Sequence, residues 1–265
     1  MSENNESLKM LLLYAMQAEA DPFIEVLGLE RRESCWHPFR VYSGRDYEGH
    51  ELTVMTSGID EFYSVDNVAT QNAAVMAAMG IKTYQPHVVI NAGTAGGFKA
   101  CGAKIGEVFI GNNFVYHDRR IPIPGFSSFG IGGFQFSPPA EFCSEFRKAV
   151  ITTGNSLDIT ANERRVLMEL AKGYVVVKEM EATAIAEMCF QARVPLIAIK
   201  AITDLVDGER CSQDEFMQNL QLASHSLQGA VACALRHISN GLVRQITQAR
   251  NHWLVDVILA LFAEK

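Results

Sequence analysis

Carboxylate side chains follow several of the apolar runs in this sequence. Glu19, Glu181 and Asp204 each come within a few residues of the end of such a run. Where the strands of an α/β sheet run parallel, ligands collect at their carboxyl ends, because the loops there converge on one crevice. Carboxyl groups held in such a crevice are candidates for general acid–base chemistry.

Each of these carboxylates also has a structural interpretation. Glu19 falls in the first turn of a predicted helix, where an acid suits the helix dipole. Asp204 ends an apolar run, where an aspartate commonly caps a short turn. Glu179 and Glu181 lie two residues apart ahead of a helix, so we expect at most one of them to face a pocket. On position alone, the two interpretations are nearly balanced.

Two further polar segments carry weaker signals. Residues 93–97 are rich in glycine and are predicted to form a tight turn that a ligand can approach closely. They match neither the dinucleotide-binding fingerprint nor a Walker A loop. His117 and Asp118 are adjacent, but no serine or cysteine nucleophile motif accompanies them. We therefore expect a structural hydrogen-bonded pair there and assign it no chemistry.

Strand-like and helix-like patterns alternate along the chain. Strands are predicted at residues 10–14, 88–90, 108–110, 174–177 and 196–202, with an antiparallel pair at 39–42 and 52–55. Helices are predicted at residues 17–29, 65–79, 138–151, 162–172, 181–191 and 213–238, with Thr160 or Asn162 capping the fourth. The alternation predicts an α/β fold: a single domain with a central mixed, twisted β-sheet, doubly wound or barrel-like, and helices on both faces.

The remaining segments define the predicted domain organisation. Residues 119–133 combine prolines and glycines with phenylalanines, which argues against regular structure and predicts a functional or interface loop. We expect a flexible N-terminus at residues 1–8 and one main domain at 9–241. Gly241 then breaks the chain before a C-terminal helical extension at residues 242–265.

The charge balance argues against two classes of partner. The 265 residues include 30 acidic and 23 basic side chains, a formal net charge of -7. No basic excess exists to bind nucleic acid or an anionic bilayer. The most apolar run, residues 253–263, is shorter than the roughly 20 residues of a membrane-spanning helix. We therefore expect no nucleic acid and no membrane as partner.

The six cysteines are scattered singly, with no C-x-x-C pair and no histidine cluster that completes a zinc site. They are predicted to be buried thiols in a reducing compartment, and no metal is expected. The first eight residues lack the cationic start and apolar core of a signal peptide. These features predict a cytoplasmic protein.

Four motifs occur in an order that is typical of one enzyme family. They are AMQAE at 15–19, NAGTAGG at 91–97, EMEATA at 179–184 and AITD at 201–204. From about residue 10 to 241 the chain resembles the methylthioadenosine/S-adenosylhomocysteine nucleosidases, of the purine and uridine phosphorylase superfamily. It is most similar to the plant-type branch, through FVYHDRRIPIP at 114–124, GNSLD at 154–158 and TDLVDG at 203–208.

The resemblance implies roles for the three carboxylates and a fold of the nucleoside phosphorylase type. In this family the bond between sugar and purine breaks through a ribosyl cation. Asp204 corresponds to the acid that protonates adenine at N7, and Glu19 to the carboxylate that orients and deprotonates the attacking water. Glu181 corresponds to the acceptor of hydrogen bonds from the ribose hydroxyls. No cofactor is implied.

The remaining implied site residues bind the substrate or cover it. Thr94, Ala95 and Gly96 correspond to a turn beside the ribose and water, and Met180 corresponds to a residue that contacts the sugar. Thr203 corresponds to a residue that orients Asp204. The main chain of Leu157 and Asp158 corresponds to the strand edge that binds the edge of adenine. Met16, Glu179 and Lys200 complete the implied binding set. A partner-subunit lid is implied at Ile121, Pro124 and Phe126, and with it a homodimer.

The sequence departs from the bacterial members at two of these positions. Leu157 stands where they have an aromatic residue that stacks on the purine, and Lys200 where they have an arginine. The lid residues are apolar, which favours methylthioadenosine over S-adenosylhomocysteine as the main substrate. A 6-aminofutalosine hydrolase, a purine nucleoside phosphorylase on the same fold and a non-catalytic nucleoside-binding protein remain alternatives.

Overall fold

The computed structural model describes residues 7–34, 36–137, 144–238 and 240–263. The strands are β1 (Lys9–Tyr14), β2 (Glu30–Arg32), β3 (Arg40–Arg45), β4 (Glu51–Thr56), β5 (Val88–Gly97), β6 (Val108–Tyr116), β7 (Gly132–Ser137), β8 (Arg147–Thr153), β9 (Val176–Glu179), β10 (Leu196–Leu205) and β11 (Thr247–Arg250). The helices are α1 (Gln17–Leu27), α2 (Thr70–Tyr84), α3 (Phe126–Ile131), α4 (Ala161–Gly173), α5 (Ala182–Ala192), α6 (Ser212–His237), α7 (Asn240–Gln245) and α8 (His252–Ala263).

The strands form one mixed sheet that closes partly on itself. Its order runs β11-β7-β6-β8-β9-β5-β1-β4-β3-β2, and β10 pairs with both β5 and β6. The strands β5, β10, β6, β8 and β9 therefore pair in a closed ring. The parallel neighbours β1, β5 and β10 end at the same edge of the sheet. The predicted mixed α/β sheet is thus confirmed.

Helices cover both faces of this sheet, and β1 shows why. Met10 and Leu12 belong to a core cluster with α1 and α6, whereas Leu11 and Leu13 belong to a second cluster with α2 and α5. Successive strand residues point to opposite faces, so a strand buried on both sides reads as an unbroken apolar run. The predicted arrangement of helices on both faces is confirmed.

Three local predictions are wrong. Residues 93–97 are not a turn: β5 continues to Gly97, because its small residues pair with β9 on one side and β10 on the other. Residues 119–133 include regular structure, because α3 packs its Ile131 against α8. Of the helix predicted at 138–151, residues 138–143 lie outside the described part, and residues 147–151 belong to β8. That strand is buried between β6 and β9, a pattern that periodicity alone does not separate from a helix.

The ends of the chain and the cysteines differ in part from expectation. Residues 1–6 of the predicted flexible N-terminus lie outside the described part, while Leu8 is buried. The C-terminal segment contains the strand β11, paired with β7, besides its helices. Cys189 is buried, but Cys211 is exposed, and the two other described cysteines are half-buried; Cys35 and Cys143 are not among the described residues. In the described part, no helix is long and apolar enough to cross a membrane.

Candidate active site

A cavity of about 260 Å³ opens at the carboxyl ends of β1, β5, β9 and β10. This is the position that the parallel strands predict for a ligand. Its wall is made by Ala15, Met16, Glu19, Val68, Thr94, Ala95, Gly96, Leu157, Lys178, Glu179, Met180, Glu181, Thr203, Asp204, Val206 and Phe216.

Glu19 is held at the base of the cavity by three hydrogen bonds. One carboxylate oxygen accepts from both the main-chain N–H and the hydroxyl of Thr94, each at 2.7 Å, and the other accepts from the N–H of Met16 at 3.1 Å. The bond from Met16 also caps the start of α1, so Glu19 has a structural role at the helix N-terminus as well. Burial raises the pKa of Glu19 and outweighs these bonds and the nearby charge of Lys200.

A buried ion pair joins Glu179 of the cavity wall to Lys200 behind the wall. The Lys200 ammonium donates to a Glu179 carboxylate oxygen at 2.9 Å, and each side chain is 2% exposed. The same oxygen accepts from the N–H groups of Glu181 and Ala182, so Glu179 caps the start of α5. Burial would raise the pKa of Glu179, but Lys200 and the hydrogen bonds prevail and lower it. Glu179 is therefore a fixed anion.

Glu181 lies just beyond the end of β9, with its side chain turned away from α5. Its carboxylate accepts a hydrogen bond from the N–H of Ala69 at 2.7 Å. Burial, together with the Glu179 charge, raises the pKa of Glu181 to about 8. The expectation that only one of these two glutamates faces a pocket is wrong, because both line the cavity. The chain leaves the strand after Glu179, so strand alternation does not extend to Glu181.

Asp204 stands near the end of β10, opposite Gly96 of β5. The hydroxyl of Thr203 donates to its carboxylate at 2.8 Å. A Cβ at position 96 would come within 3.0 Å of Asp204 and 2.7 Å of Val206, so only glycine leaves the carboxylate its place. Burial raises the pKa of Asp204, although hydrogen bonds from Thr203 and Ser212 and the charge of Lys178 oppose the rise.

The structure brings most of the sequence-predicted site residues to one cavity. Those that line it are Met16, Glu19, Thr94, Ala95, Gly96, Leu157, Glu179, Met180, Glu181, Thr203 and Asp204. Lys200 lies behind the wall, and Asp158 is exposed outside it. Of the predicted lid, Pro124 and Phe126 are exposed and Ile121 is half-buried, and these three residues do not line the cavity of their own chain.

Sequence reasoning missed several wall residues. Lys178 directly precedes the EMEATA motif. It follows the apolar run of a predicted strand, and this position was the sequence feature that could have indicated a buried cation. Phe216 is the fifth residue of α6 and follows TDLVDG, where an aromatic residue near a motif was a weaker signal. Ala15, Val68 and Val206 are small or apolar and carry no chemical signal.

The site pairs two carboxyl groups of raised pKa, Glu19 and Asp204, with a third that has a pKa of about 8, Glu181. Buried carboxyl groups with raised pKa values are typical of general acid–base catalysis. Among the described residues, no group of three or more histidine, cysteine, aspartate or glutamate side chains is placed to hold a metal ion. The arrangement suits acid–base cleavage of a small molecule that has both polar and apolar parts.

Sequence and structure comparisons with known proteins agree with one another. A family model described as the phosphorylase superfamily matches residues 9–236. The chain is 33% identical to a 5'-methylthioadenosine nucleosidase of Arabidopsis thaliana over 87% of both chains. It is equally identical to a 5'-methylthioadenosine/S-adenosylhomocysteine nucleosidase of that plant, over 87% of this chain and 91% of the other. The apo structure of the Arabidopsis 5'-methylthioadenosine nucleosidase superimposes with a TM-score of 0.84 at 32% identity, covering 90% of this chain and 99% of that one.

Proposed function

We propose that this chain, which belongs to the phosphorylase superfamily and within it to the methylthioadenosine/S-adenosylhomocysteine nucleosidases, hydrolyses 5'-methylthioadenosine to adenine and 5-methylthioribose. The observation that carries the proposal is the convergence of Asp204, Glu19 and Glu181 on one cavity. Hydrolysis of an N-glycosidic bond needs an acid for the leaving base, a base for water and an anion beside the sugar.

Asp204 is the proposed acid. Burial raises its pKa and so favours the protonated form, and the hydroxyl of Thr203 orients its carboxylate. Protonation of adenine at N7 makes the base a better leaving group, and the sugar then develops positive charge. Asp204→Asn should remove most adenine release while the protein still folds.

Glu19 is the proposed base. The two Thr94 bonds and the Met16 bond fix its carboxylate beside the small residues of β5. A raised pKa makes the ionised carboxylate a stronger base towards water. Its negative charge would also repel phosphate, which disfavours phosphorolysis. Glu19→Gln should retain adenine binding and lose turnover.

Glu181 is the proposed partner of the ribose hydroxyls, with Met180 against the sugar face. An anion that accepts hydrogen bonds from the hydroxyls stabilises the charge that develops on the ring. Because hydroxyl donors favour the ionised carboxyl, nucleoside binding should lower the pKa of Glu181 and release a proton near pH 7.

The remaining wall favours an apolar 5' substituent. Val68, Val206 and Phe216 line the cavity, and a methylthio group gains free energy from burial against such side chains. The charged homocysteine tail of S-adenosylhomocysteine gains less. We therefore propose methylthioadenosine as the main substrate and S-adenosylhomocysteine as a secondary one, with the products entering methionine salvage in the cytoplasm.

A homodimer completes this proposal. Ile123, Phe126 and Phe129 are each more than half exposed. Ile123 and Phe126 lie on the 121–126 segment that the family resemblance assigns to the partner's lid, and Phe129 follows it in α3. An exposed apolar group of this kind is typical of an interface. Phe126→Asp should give a monomer in sedimentation analysis and raise KM for methylthioadenosine. A wild-type monomer with full activity would contradict the dimer.

The direct test compares substrates with and without phosphate. Pure protein is incubated with methylthioadenosine, S-adenosylhomocysteine or aminofutalosine, and both products are identified by mass spectrometry. We expect adenine and free methylthioribose from methylthioadenosine at a rate that does not depend on phosphate. A sugar 1-phosphate formed only with phosphate would make the protein a phosphorylase, and preference for aminofutalosine would change the substrate.

A further inference from the structure

One cation in the cavity wall has no part in the mechanism proposed above. Lys178 lines the cavity, yet the residue is only 4% exposed to solvent. Its ammonium donates to the main-chain oxygens of Ser156 at 2.6 Å and Leu157 at 2.9 Å. Burying an ammonium is costly unless it is paired and hydrogen-bonded, so its presence beside a ligand cavity calls for a physical reason.

The sheet register places Lys178 opposite the proposed acid. Gly96 of β5 pairs with Lys178 of β9 on one side and with Asp204 of β10 on the other. Residues directly opposite one another in adjacent strands share a face of the sheet. At a strand spacing of about 4.8 Å, the Cα atoms of Lys178 and Asp204 stand about 10 Å apart. Lys178, Gly96 and Asp204 all line the cavity, so a ligand bound there can lie between the lysine and the aspartate.

The main chain at residues 156 and 157 is held beside Lys178 by these hydrogen bonds. Leu157 lines the same cavity as Lys178 and Asp204. A lysine has three N–H donors. Two reach the carbonyl oxygens, so one is left for an acceptor atom on a bound base.

We propose that Lys178 is a positioning residue of the base pocket: its ammonium fixes the main chain at Ser156 and Leu157 as one wall and faces Asp204 across Gly96, so that the base lies between a cation and an acid. The inference rests on the proposed function, because it assigns the base to this part of the cavity.

The charges around this row determine how the site responds to pH. Asp204 is faced by Lys178 from β9 and by Glu215 from α6, whose negative charge opposes the effect of the lysine. Lys178 is itself faced by Asp204, Glu179, Asp158, Glu163 and His117. Burial lowers the pKa of Lys178, and its acidic neighbours oppose this. While charged, Lys178 favours the ionised form of Asp204 and so limits how far burial raises the pKa of that acid.

The test replaces Lys178 by methionine, which keeps the length of the side chain and removes the charge. Asp204 acts as a proton donor, so the rate falls as pH rises through its pKa. In Lys178→Met we expect this alkaline limb of the kcat/KM profile for methylthioadenosine to move up by about one pH unit, the size of a single charge effect in a partly buried site. We also expect KM to rise about tenfold, because the 156–157 main chain loses its anchor.

Two further variants separate charge from size. Lys178→Arg keeps the cation, so its alkaline limb should stay within about 0.3 pH units of the wild type. Lys172→Met removes an exposed lysine on α4 and should change neither the limb nor KM. If Lys178→Met does not fold, Lys178→Gln takes its place, since the amide keeps an N–H donor without the charge.

An alkaline limb that does not move in Lys178→Met would overturn the inference, as would an equal shift in Lys178→Arg. Calorimetric binding of adenine gives a readout that does not depend on turnover, and Lys178→Met should weaken it about tenfold. If wild-type protein binds adenine but releases none from methylthioadenosine, the proposed function fails and the Lys178 inference is still decided by the binding data.

Discussion

Glu181→Gln should make the protein more stable while it removes activity. The wild-type carboxyl has an ordinary pKa of 4.5 in the unfolded chain and about 8 in the folded one, because it is buried beside Glu179. A group whose pKa is raised on folding supports stability below pH 4.5, and this support is lost as pH rises to about 8. Each pKa unit corresponds to about 1.4 kcal/mol. At pH 7 the folded carboxyl is still mostly protonated while the unfolded one is ionised, so the raised pKa lowers the stability of the wild type by on the order of 3 kcal/mol relative to acid pH.

The glutamine variant avoids this cost. Its amide oxygen still accepts the bond from the N–H of Ala69, while its NH2 group needs a water in the cavity, which offsets part of the gain. For a chain of this size 1 kcal/mol corresponds to about 2–4 °C. We expect a melting temperature roughly 5 °C above wild type at pH 8, no difference at pH 4.5, and a loss of kcat because the ribose loses its anionic partner.

Thermal unfolding of the ligand-free protein between pH 4.5 and 9 measures this. Glu163→Gln is a control of opposite sign. Burial would raise the pKa of Glu163, but the Thr160 hydrogen bonds and Arg120 lower it. That variant should be less stable than wild type near neutral pH and approach it in acid. If the stability difference between Glu181→Gln and wild type is no larger at pH 8 than at pH 4.5, the raised pKa of Glu181 is refuted as its cause.

Three other substitutions or deletions test the framework of the site. Gly96→Ala places a methyl group 2.7 Å from Val206, so it should lower kcat/KM at least tenfold and cost about 1–3 kcal/mol of stability; unchanged kinetics would contradict the close packing. Lys200→Met leaves Glu179 buried and unpaired and should cost about 3–5 kcal/mol in urea unfolding. Deletion after Ile246 removes β11 and α8, with three buried aliphatic side chains, and should cost on the order of 5 kcal/mol; an unchanged midpoint would show that this segment is dispensable.

The catalytic motifs were predictable because each one follows a strand. A strand buried on both faces is a short apolar run, and the polar residues after it must lie at the edge of the sheet. This reasoning identified Glu19 and Asp204 as neighbours of a ligand crevice although they are 185 residues apart in the sequence. It could not choose between a catalytic and a capping role, and Glu19 has contacts that serve both.

Other features depend on contacts that the sequence does not encode locally. β8 was predicted as part of a helix, because its burial between two strands removes the alternation that identifies a half-buried strand. The 93–97 segment was predicted as a turn because glycines are typical of turns. In the fold these glycines instead allow close packing of the neighbouring strands. Lys178 was overlooked for a similar reason: only the register across Gly96 sets it opposite Asp204.

In the proposed mechanism, water oriented by Glu19 attacks the sugar while Asp204 protonates the base. Turnover of methylthioadenosine in water enriched with oxygen-18 tests this step. The sugar is sampled early in the reaction, trapped by borohydride reduction and analysed by mass spectrometry. We expect one heavy oxygen at C1 of the methylthioribose, and no labelled sugar from Asp204→Asn. A product that carries phosphate at C1, or full turnover by Asp204→Asn, would contradict it.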